Sequence, residues 1–276
     1  MIDVNVKFMA LIGDPVRQSV SPAMHNAAFQ ALGLNYAYLA FQVPPANLGD
    51  AITVARGPGF RGANITIPHK TTVLRLLDNI DPSAKRIGAV NTLVNDAGKL
   101  TGHNTDAPGF LAALRSGGFE PKGEKAVVLG AGGAARAIVF ALRDAGATVA
   151  VVNRSPEAAI ALAGEAGASA FEMTDSGFES ALDGASAVVN ATNVGMSPDI
   201  DSTPLPAHLL QPGLVVFDSV YRPQQTRLLK DAQAGGCAIV GGLDMLVEQG
   251  ALAFELWIGE KAPRDVMRRA AEEALG

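Results

Sequence analysis

Two short polar stretches of the chain each carry one side chain that can transfer a proton. Residues 62–70 read GANITIPHK and end on Lys70, and residues 102–109 read GHNTDAPG and contain Asp106. A lysine beside an aspartate can serve as a general acid or base, so the two stretches could form two walls of one site. Each residue also has an ordinary structural explanation, a solvated surface lysine and an aspartate that caps the helix after it.

A glycine-rich turn predicts a site for a dinucleotide. The segment VVLGAGGAARA places Gly130, Gly132 and Ala135 in a G-x-G-x-x-A spacing, directly after an apolar strand and at the start of a helix. The glycines permit a tight turn and let the backbone approach a pyrophosphate, which then faces the N–H groups of the helix start. Alone, such a turn can be a plain strand-to-helix connection, but here it opens a βαβ unit, which favours cofactor binding.

The end of the next strand predicts which dinucleotide is bound. NAD-binding folds usually place an acidic residue there to hold the ribose 2′-hydroxyl, whereas a basic residue suits the 2′-phosphate of NADP. This chain has Asn153 and Arg154 at that point. A guanidinium binds phosphate through two hydrogen bonds, so NADP is favoured over NAD, although an arginine on a solvated turn is the alternative.

These residues need elements that position them, and the hydrophobic pattern predicts an α/β protein of two domains. The first part alternates strand-like and helix-like stretches at 6–13, 21–33, 36–43 and 46–56, which favours a parallel sheet. Ser21 before Pro22 resembles an N-cap with proline in the first helical turn. Further strands are expected near 62–67 and 90–94, and a helix over 106–118 leads to a linker, FEPKGE.

A second series of strands and helices has the spacing of a Rossmann-type dinucleotide-binding fold. Strands are expected at 125–130, 148–152, 186–192 and 213–220, with helices at about 133–145 and 156–166, and the tail from 243 onward is helical. A substrate that reacts with a nicotinamide bound there would be held by the rest of the chain, in the cleft between the domains.

Composition excludes several functional classes. The net charge of −5 argues against a general nucleic-acid binder, and the chain has no apolar run near the ~20 residues of a membrane helix. The four histidines and one cysteine show no metal-ligand spacing, so no metal is expected. Cys237 cannot form an internal disulfide, and the N-terminus lacks the pattern of a secretory signal, which favours the cytoplasm.

The motifs together resemble the shikimate dehydrogenase family. SVSP, NITIPHK, GAVNTL, NTDAPGF, GAGGAARA, NRS, NATNVGM, DSVYRPQQT and GGLDMLVEQGALAFELW occur in the family's order and spacing, over essentially the whole chain. The resemblance implies an NADP-dependent oxidoreductase that reduces 3-dehydroshikimate to shikimate in aromatic amino acid biosynthesis. It also implies a discontinuous substrate domain of residues 1–107 and 243–276 and a cofactor domain of residues 108–242.

The resemblance also implies the site residues. Lys70 and Asp106 would flank the reacting oxygen, and we expect Lys70 to be the acid/base and Asp106 to orient it, although the sequence does not decide which group carries the proton. Substrate would be bound by Ser19, Ser21, Thr66, Lys70, Asn91, Asp106, Tyr221 and Gln249. The cofactor would be bound by Gly130, Ala131, Gly132, Gly133, Ala134, Asn153, Arg154, Ser155, Thr192, Ser219, Gly242 and Met245.

Departures from the family pattern leave alternatives open. Glu157 stands where a second basic residue is often found, which puts the strength of the NADP preference in doubt, and Asp244 stands where glycine is common. One alternative is a shikimate or quinate dehydrogenase of broader specificity that uses NAD, and another is a ligand sensor without catalysis. His25 and His69 are interpreted as structural. The expected partners are small molecules, not nucleic acid or membrane, and a homodimer is compatible with the sequence.

Overall fold

A computed structural model describes residues 3–276, which form two compact units. The first unit comprises the described residues up to Thr105 together with Val247–Gly276, and the second comprises Asp106–Leu246. The strands are β1 Lys7–Gly13, β2 Tyr36–Gln42, β3 Phe60–Ile65, β4 Asn79–Ile80, β5 Thr92–Asp96, β6 Lys99–His103, β7 Lys125–Leu129, β8 Thr148–Asn153, β9 Ser169–Glu172, β10 Ala187–Asn190, β11 Val215–Asp218 and β12 Ala238–Val240. The α-helices are α1 Ser21–Ala31, α2 Leu48–Ala55, α3 Pro82–Ile87, α4 Asp106–Ser116, α5 Gly133–Asp144, α6 Pro156–Ala166, α7 Asp175–Leu182, α8 Arg227–Ala234, α9 Gly242–Ile258 and α10 Arg264–Leu275.

The first unit contains a mixed sheet with the strand order β2-β1-β3-β5-β6-β4. Its first three strands are parallel, as the alternating pattern predicts, whereas β5 and β6 form an antiparallel hairpin that the pattern did not predict. The two residues between them, Ala97 and Gly98, have φ angles of +50° and +89°. Positive φ at both central positions is the geometry of a tight hairpin turn whose twist matches that of the strands.

The second unit contains a fully parallel sheet with the order β12-β11-β10-β7-β8-β9. This is the doubly wound arrangement, in which ligands bind beyond the carboxyl ends of the strands where the order reverses. The reversal lies at β7, the strand that precedes the glycine-rich turn. Its central strands are buried and rich in valine, as strands covered by helices on both faces require.

The prediction that Ser21 caps α1 is wrong. The helix begins at Ser21 itself, after the N-cap residue Val20, and the N-cap makes no side-chain hydrogen bond. Instead the Ser21 N–H donates to Oγ of Ser19 at 3.2 Å. A proline at the second helical position costs no intrahelical hydrogen bond, because the N–H groups of the first turn have no partner within the helix. Ser19 therefore contributes to the helix start.

The helical tail packs on the first unit through a buried tryptophan of α9. Trp257 is 1% exposed, and its indole N–H donates to the carbonyl of Leu93 at 2.8 Å. A Cβ on Gly62 would lie 2.3 Å from Trp257 Nε1 and 2.2 Å from the Leu93 oxygen, so only glycine fits there. Across the described residues, no helix is both long and apolar enough to cross a membrane.

Candidate active site

A buried network of amides and hydroxyls lies in the first unit around Asn91. Asn91 Oδ1 accepts the backbone N–H of Thr105 at 2.7 Å, and Asn91 Nδ2 donates to Thr105 Oγ1 at 2.9 Å. Asn91 Nδ2 also donates to Gln249 Oε1 of α9 at 3.3 Å. The side-chain amides of Asn91 and Gln249 are therefore held together from positions far apart in the chain, and two of the predicted substrate residues meet directly.

The same network continues into the sheet through Asn64 on β3. The Tyr38 hydroxyl donates to Asn64 Oδ1 at 2.7 Å, and Asn64 Nδ2 donates to the Asn91 carbonyl at 3.2 Å and to Thr92 Oγ1 at 3.1 Å. All four residues are buried. Because a buried amide that lost a partner would cost about 1–3 kcal/mol, this network fixes the orientation of Asn91.

The two predicted serine ligands are adjacent at the start of α1. Ser19 Oγ donates to Ser21 Oγ at 3.2 Å, and Ser21 is 6% exposed while Ser19 is partly exposed. Two hydroxyls at a helix start are suited to hydrogen-bonding a carboxylate, which the helix dipole also favours.

Thr66 and Lys70 lie in the turn that follows β3. The turn is attached on both sides: the Thr66 N–H donates to the Ile12 carbonyl of β1 at 2.9 Å, and the Val90 N–H donates to the Lys70 carbonyl at 2.8 Å. His69 is buried, with its Nε2 at 2.6 Å from the Val43 carbonyl. The backbone that carries Lys70 is therefore fixed, and the Lys70 side chain is partly exposed.

Asp106 is the first residue of α4 and is 4% exposed. It lies inside the first turn of the helix, one position after the residue that would be the N-cap. Thr105 immediately before it is tied to Asn91 through both its N–H and its hydroxyl. The chain is thus fixed by the Asn91 network one residue before Asp106.

The predicted cofactor turn connects β7 to α5. Gly130 has φ +116°, a backbone conformation that favours glycine, and a Cβ there would be crowded at 3.0 Å from Thr192 Cγ2 and 3.1 Å from the Ala191 carbonyl oxygen. Gly132 is the N-cap of α5, and a Cβ on it would meet no atom within 4 Å. The surface of the turn is open at Gly132, as the close approach of a pyrophosphate requires. Ala131, Gly133 and Ala134 complete the turn and start the helix.

Asn153, Arg154 and Ser155 lie at the carboxyl end of β8, as predicted for residues around an adenosine ribose. Ser155 caps α6 by accepting the Ala158 N–H at 3.4 Å, and its hydroxyl donates to Glu157 at 2.8 Å. The backbone hydrogen bond at Glu157 and the bond from Ser155 lower the pKa of the Glu157 carboxyl. Arg154 is exposed, and so is Glu157, which places a negative charge on the same turn.

A second network, which sequence reasoning missed, lies at the ends of β10 and β11. Asp218 accepts hydrogen bonds from Asn190 Nδ2 at 2.9 Å, the Val220 N–H at 3.0 Å and the Thr226 hydroxyl at 2.6 Å. Asn190 Oδ1 in turn accepts the N–H of Thr192 at 3.0 Å and its hydroxyl at 2.7 Å. Polar residues that end two apolar strand segments were the available signal for Asn190 and Asp218.

This network surrounds the remaining predicted residues of the second unit. Ser219 and Tyr221 lie in the turn after Asp218, and the Ser219 N–H donates to the Asn190 carbonyl at 3.0 Å. Gly242 begins α9, and a Cβ there would lie 2.5 Å from the Ser219 carbonyl oxygen. Met245 is 7% exposed on the first turn of the same helix.

Burial shifts the pKa of two ionisable side chains that the sequence analysis did not assign to the site, Asp218 and His25. Burial raises the pKa of Asp218 to about 6, against its hydrogen bonds from Thr226, Val220 and Asn190, which lower it. Burial lowers the pKa of His25 to about 3, and neither ring nitrogen of His25 has a hydrogen-bond partner in the part of the chain that the structure describes. Within residues 3–276 there is no group of three or more His, Cys, Asp or Glu side chains placed to hold a metal.

Three family models match successive parts of the chain. A shikimate dehydrogenase substrate binding domain matches residues 11–93, a shikimate / quinate 5-dehydrogenase domain matches residues 112–197, and a shikimate 5′-dehydrogenase C-terminal domain matches residues 242–272.

Similar proteins cover nearly the whole chain. A shikimate dehydrogenase (NADP(+)) of Moorella thermoacetica is 48% identical over 100% of this chain and 96% of its own length. A shikimate 5-dehydrogenase of Thermus thermophilus, solved with NADP(H) and shikimate, is 47% identical, covers 98% of this chain and 100% of its own, and has a TM-score of 0.90. A quinate dehydrogenase of Corynebacterium glutamicum, solved with NAD, is 34% identical, covers 97% of this chain and 99% of its own, and has a TM-score of 0.89.

Proposed function

The chain belongs to the shikimate dehydrogenase family, and we propose that it catalyses the reversible, NADPH-dependent reduction of 3-dehydroshikimate to shikimate, a step of aromatic amino acid biosynthesis. The observation that carries this conclusion is the 48% identity, over the whole of this chain, to an NADP-dependent shikimate dehydrogenase. The protein is an oxidoreductase that acts on a CH–OH group.

The substrate is a small polyhydroxylated acid, and we assign its recognition to polar side chains. Ser19 and Ser21 would hydrogen-bond the carboxylate. Thr66, Asn91, Tyr221 and Gln249 would help to bind the carboxylate or the ring hydroxyls. Lys70 and Asp106 would flank the reacting oxygen. A site that hydrogen-bonds each hydroxyl rejects analogues that lack one, because its own buried polar groups are then left unpaired.

Proton transfer is assigned to Lys70. The chemistry supplied by bound NADPH is a hydride for the carbonyl carbon of the substrate. The oxygen of that carbonyl then needs a proton, which we assign to Lys70 Nζ, and in the reverse direction the same amine receives it. We assign to Asp106 the orientation of the lysine and of the reacting hydroxyl. The fixed backbone on both sides of Lys70 supports this assignment, since an acid/base group must be positioned accurately.

The cofactor is assigned to the second unit, which contains the open glycine turn at Gly132 and the exposed Arg154 at the end of β8. The α5 N-terminus would face the pyrophosphate, and the Arg154 guanidinium would bind the 2′-phosphate. The domain boundaries, 1–107 with 243–276 and 108–242, belong to this proposal. A homodimer and a cytoplasmic location are also part of this proposal. The single cysteine supports the cytoplasmic location.

The decisive assay compares shikimate and quinate with NADP and NAD, using purified protein. We expect the highest kcat/KM with shikimate and NADP. The second candidate, a broader enzyme that uses NAD, is favoured by Glu157 beside Arg154 and by the similarity to a quinate dehydrogenase solved with NAD. Oxidation of quinate with NAD at equal or better efficiency would establish that candidate instead. Binding of shikimate without any formation of NADPH would indicate a sensor.

A further inference from the structure

We propose that Asp218 is a positioning residue, whose buried carboxylate holds the two loops that carry the cofactor and substrate residues of the second unit. The inference rests on the proposed function, because it assumes that Thr192 and Ser219 contact NADP and that Tyr221 contacts substrate. Asp218 itself is placed in neither contact. It is completely buried, one residue before the turn that holds Ser219 and Tyr221.

The first loop is held through Asn190, at the end of β10. Asn190 Nδ2 donates to the Asp218 carboxylate at 2.9 Å and also to the Val194 carbonyl at 3.3 Å. Asn190 Oδ1 accepts two bonds from Thr192, and Thr192 Oγ1 accepts the Val194 N–H at 3.1 Å. Without the carboxylate, the Asn190 amide would lose one of the partners that set its orientation, and the loop at 191–194, which Asn190 holds, would be positioned less firmly.

The second loop is held directly. The Val220 N–H donates to Asp218 Oδ1 at 3.0 Å, which closes the turn that begins with Ser219. The hydroxyl of Thr226 donates to Asp218 Oδ2 at 2.6 Å, and this attaches the other end of the loop, where α8 starts. The segment from Ser219 to Thr226, including Tyr221, is therefore fixed at both ends by one side chain.

The environment of the carboxylate explains why an ionisable residue stands here. Its described partners come from β10, from the turn after β11 and from the start of α8, and all three are neutral donors that do not titrate. A carboxylate accepts three hydrogen bonds more strongly than a neutral amide or hydroxyl does, because charge-assisted bonds are the stronger class. Burial opposes this by raising the pKa of Asp218 to about 6. The positioning should therefore weaken in mild acid.

The test compares Asp218→Leu, which removes all three acceptor bonds, with Asp218→Asn, which keeps an acceptor of the same shape. We expect the dissociation constant of NADP, measured by titration calorimetry, and the KM of shikimate each to rise roughly 10-fold or more in the leucine variant, with a smaller fall in kcat. The asparagine variant should restore most of the loss near neutral pH. Between about pH 7 and pH 5, the ratio of wild-type to Asp218→Asn dissociation constants should rise, because only the carboxyl is protonated there.

A second pair of variants, at Thr226, tests the proposal if Asp218→Leu does not fold. Thr226→Val removes one bond to the carboxylate and should raise the same two constants about 3-fold or more, whereas Thr226→Ser should not. Thr226 also caps α8 by accepting the Leu229 N–H. Thr174→Val is the matched control, because Thr174 caps α7 in the same way without touching Asp218, and it should leave both constants unchanged.

The outcomes separate the two proposals. Folded Asp218→Leu and Thr226→Val proteins with wild-type constants would overturn the positioning role while the wild-type enzyme still reduces 3-dehydroshikimate. A loss of NADP affinity equal in Thr174→Val and Thr226→Val would also overturn it, since the effect would then be general destabilisation. A wild-type protein inactive with shikimate and NADP would overturn the proposed function, and NADP binding would still test the role of Asp218.

Discussion

In the first unit, the residues assigned to substrate come from segments far apart in the sequence, whereas in the second unit most of the residues assigned to cofactor lie in short turns at the ends of parallel strands. Asn91 bonds Gln249 across 158 positions of the chain. The turn at Gly130, by contrast, is complete within one strand-to-helix connection. The substrate residues therefore depend on the packing of distant elements, and the cofactor residues on local backbone geometry.

Each unit also has a buried ionisable side chain, and the two differ in their hydrogen-bond partners. In the first, His25 is buried without a hydrogen-bond partner, stacked on Tyr38 at 4.4 Å between ring centroids. In the second, Asp218 is buried with three partners. The two respond oppositely to acid. Stability from His25 is present above pH 6.5 and is lost as pH falls towards about 3, while stability from Asp218 is present in acid and is lost as pH rises through about 6.

The largest expected effect is on the rate, from a residue of the first unit. Lys70→Ala should lower kcat at least ~100-fold, the usual contribution of a general acid or base, with a much smaller change in the KM of shikimate. Steady-state kinetics with NADP measures both. Lys99→Ala, an exposed lysine of the same unit, is the control and should keep wild-type kcat. A Lys70→Ala enzyme with nearly normal kcat would move the proton transfer to another group.

The next effect is on cofactor choice, from the second unit. Arg154→Asp should lower the ratio of kcat/KM for NADP over NAD roughly 30-fold, because hydrogen bonds from a guanidinium to the 2′-phosphate are replaced by repulsion. The kcat with saturating cofactor should change little. Lys230→Asp, on the exposed side of α8, controls for the change in net charge. If the ratio is the same in both variants, Arg154 does not contact the phosphate.

A smaller effect is expected from the open glycine of the cofactor turn. Gly132→Ala should raise the KM of NADP about 10-fold without lowering the melting temperature, because the added methyl group meets no protein atom and would obstruct only the pyrophosphate. Gly164→Ala in α6 is also free of contacts and should leave the KM of NADP unchanged. Unchanged cofactor affinity in Gly132→Ala would argue that the pyrophosphate binds elsewhere.

The last prediction concerns stability in acid and leaves catalysis unchanged near neutral pH. His25→Phe should remove about 2 kcal/mol of the loss in unfolding free energy between pH 6.5 and pH 5, because the wild-type imidazole takes up a proton only on unfolding. Denaturant unfolding at pH 6.5 and pH 5 measures this change in unfolding free energy for each protein. A packing cost of the substitution that is equal at both pH values cancels in the comparison. His208→Asn, at an exposed position of the second unit, is the control. An equal pH dependence in wild type and His25→Phe would exclude this origin of acid sensitivity.

Much of the fold follows from patterns that are local in the sequence. The alternation of strands and helices, the strand at β7, the helix at α5 and the end of β8 at Asn153 agree with the pattern of apolar residues and glycines. The hairpin of β5 and β6 was missed, because its turn, Ala97 and Gly98, lacks the asparagine or aspartate that usually marks one. The cap at Ser21 was misassigned, because both Ser19 and Ser21 are suited to a helix start.

Runs of consecutive residues are enough to predict the doubly wound fold and to propose the dinucleotide turn and the role of Arg154, since each depends on the conformation of a few neighbouring positions. The folded chain was needed to find that Asn91 bonds Thr105 and Gln249, and that Asp218 joins two loops through Asn190 and Thr226. Such contacts depend on which strand ends lie side by side once the sheets have formed. Local propensity does not encode that order, so the functional side chains could be proposed one by one from sequence, but their partners could not.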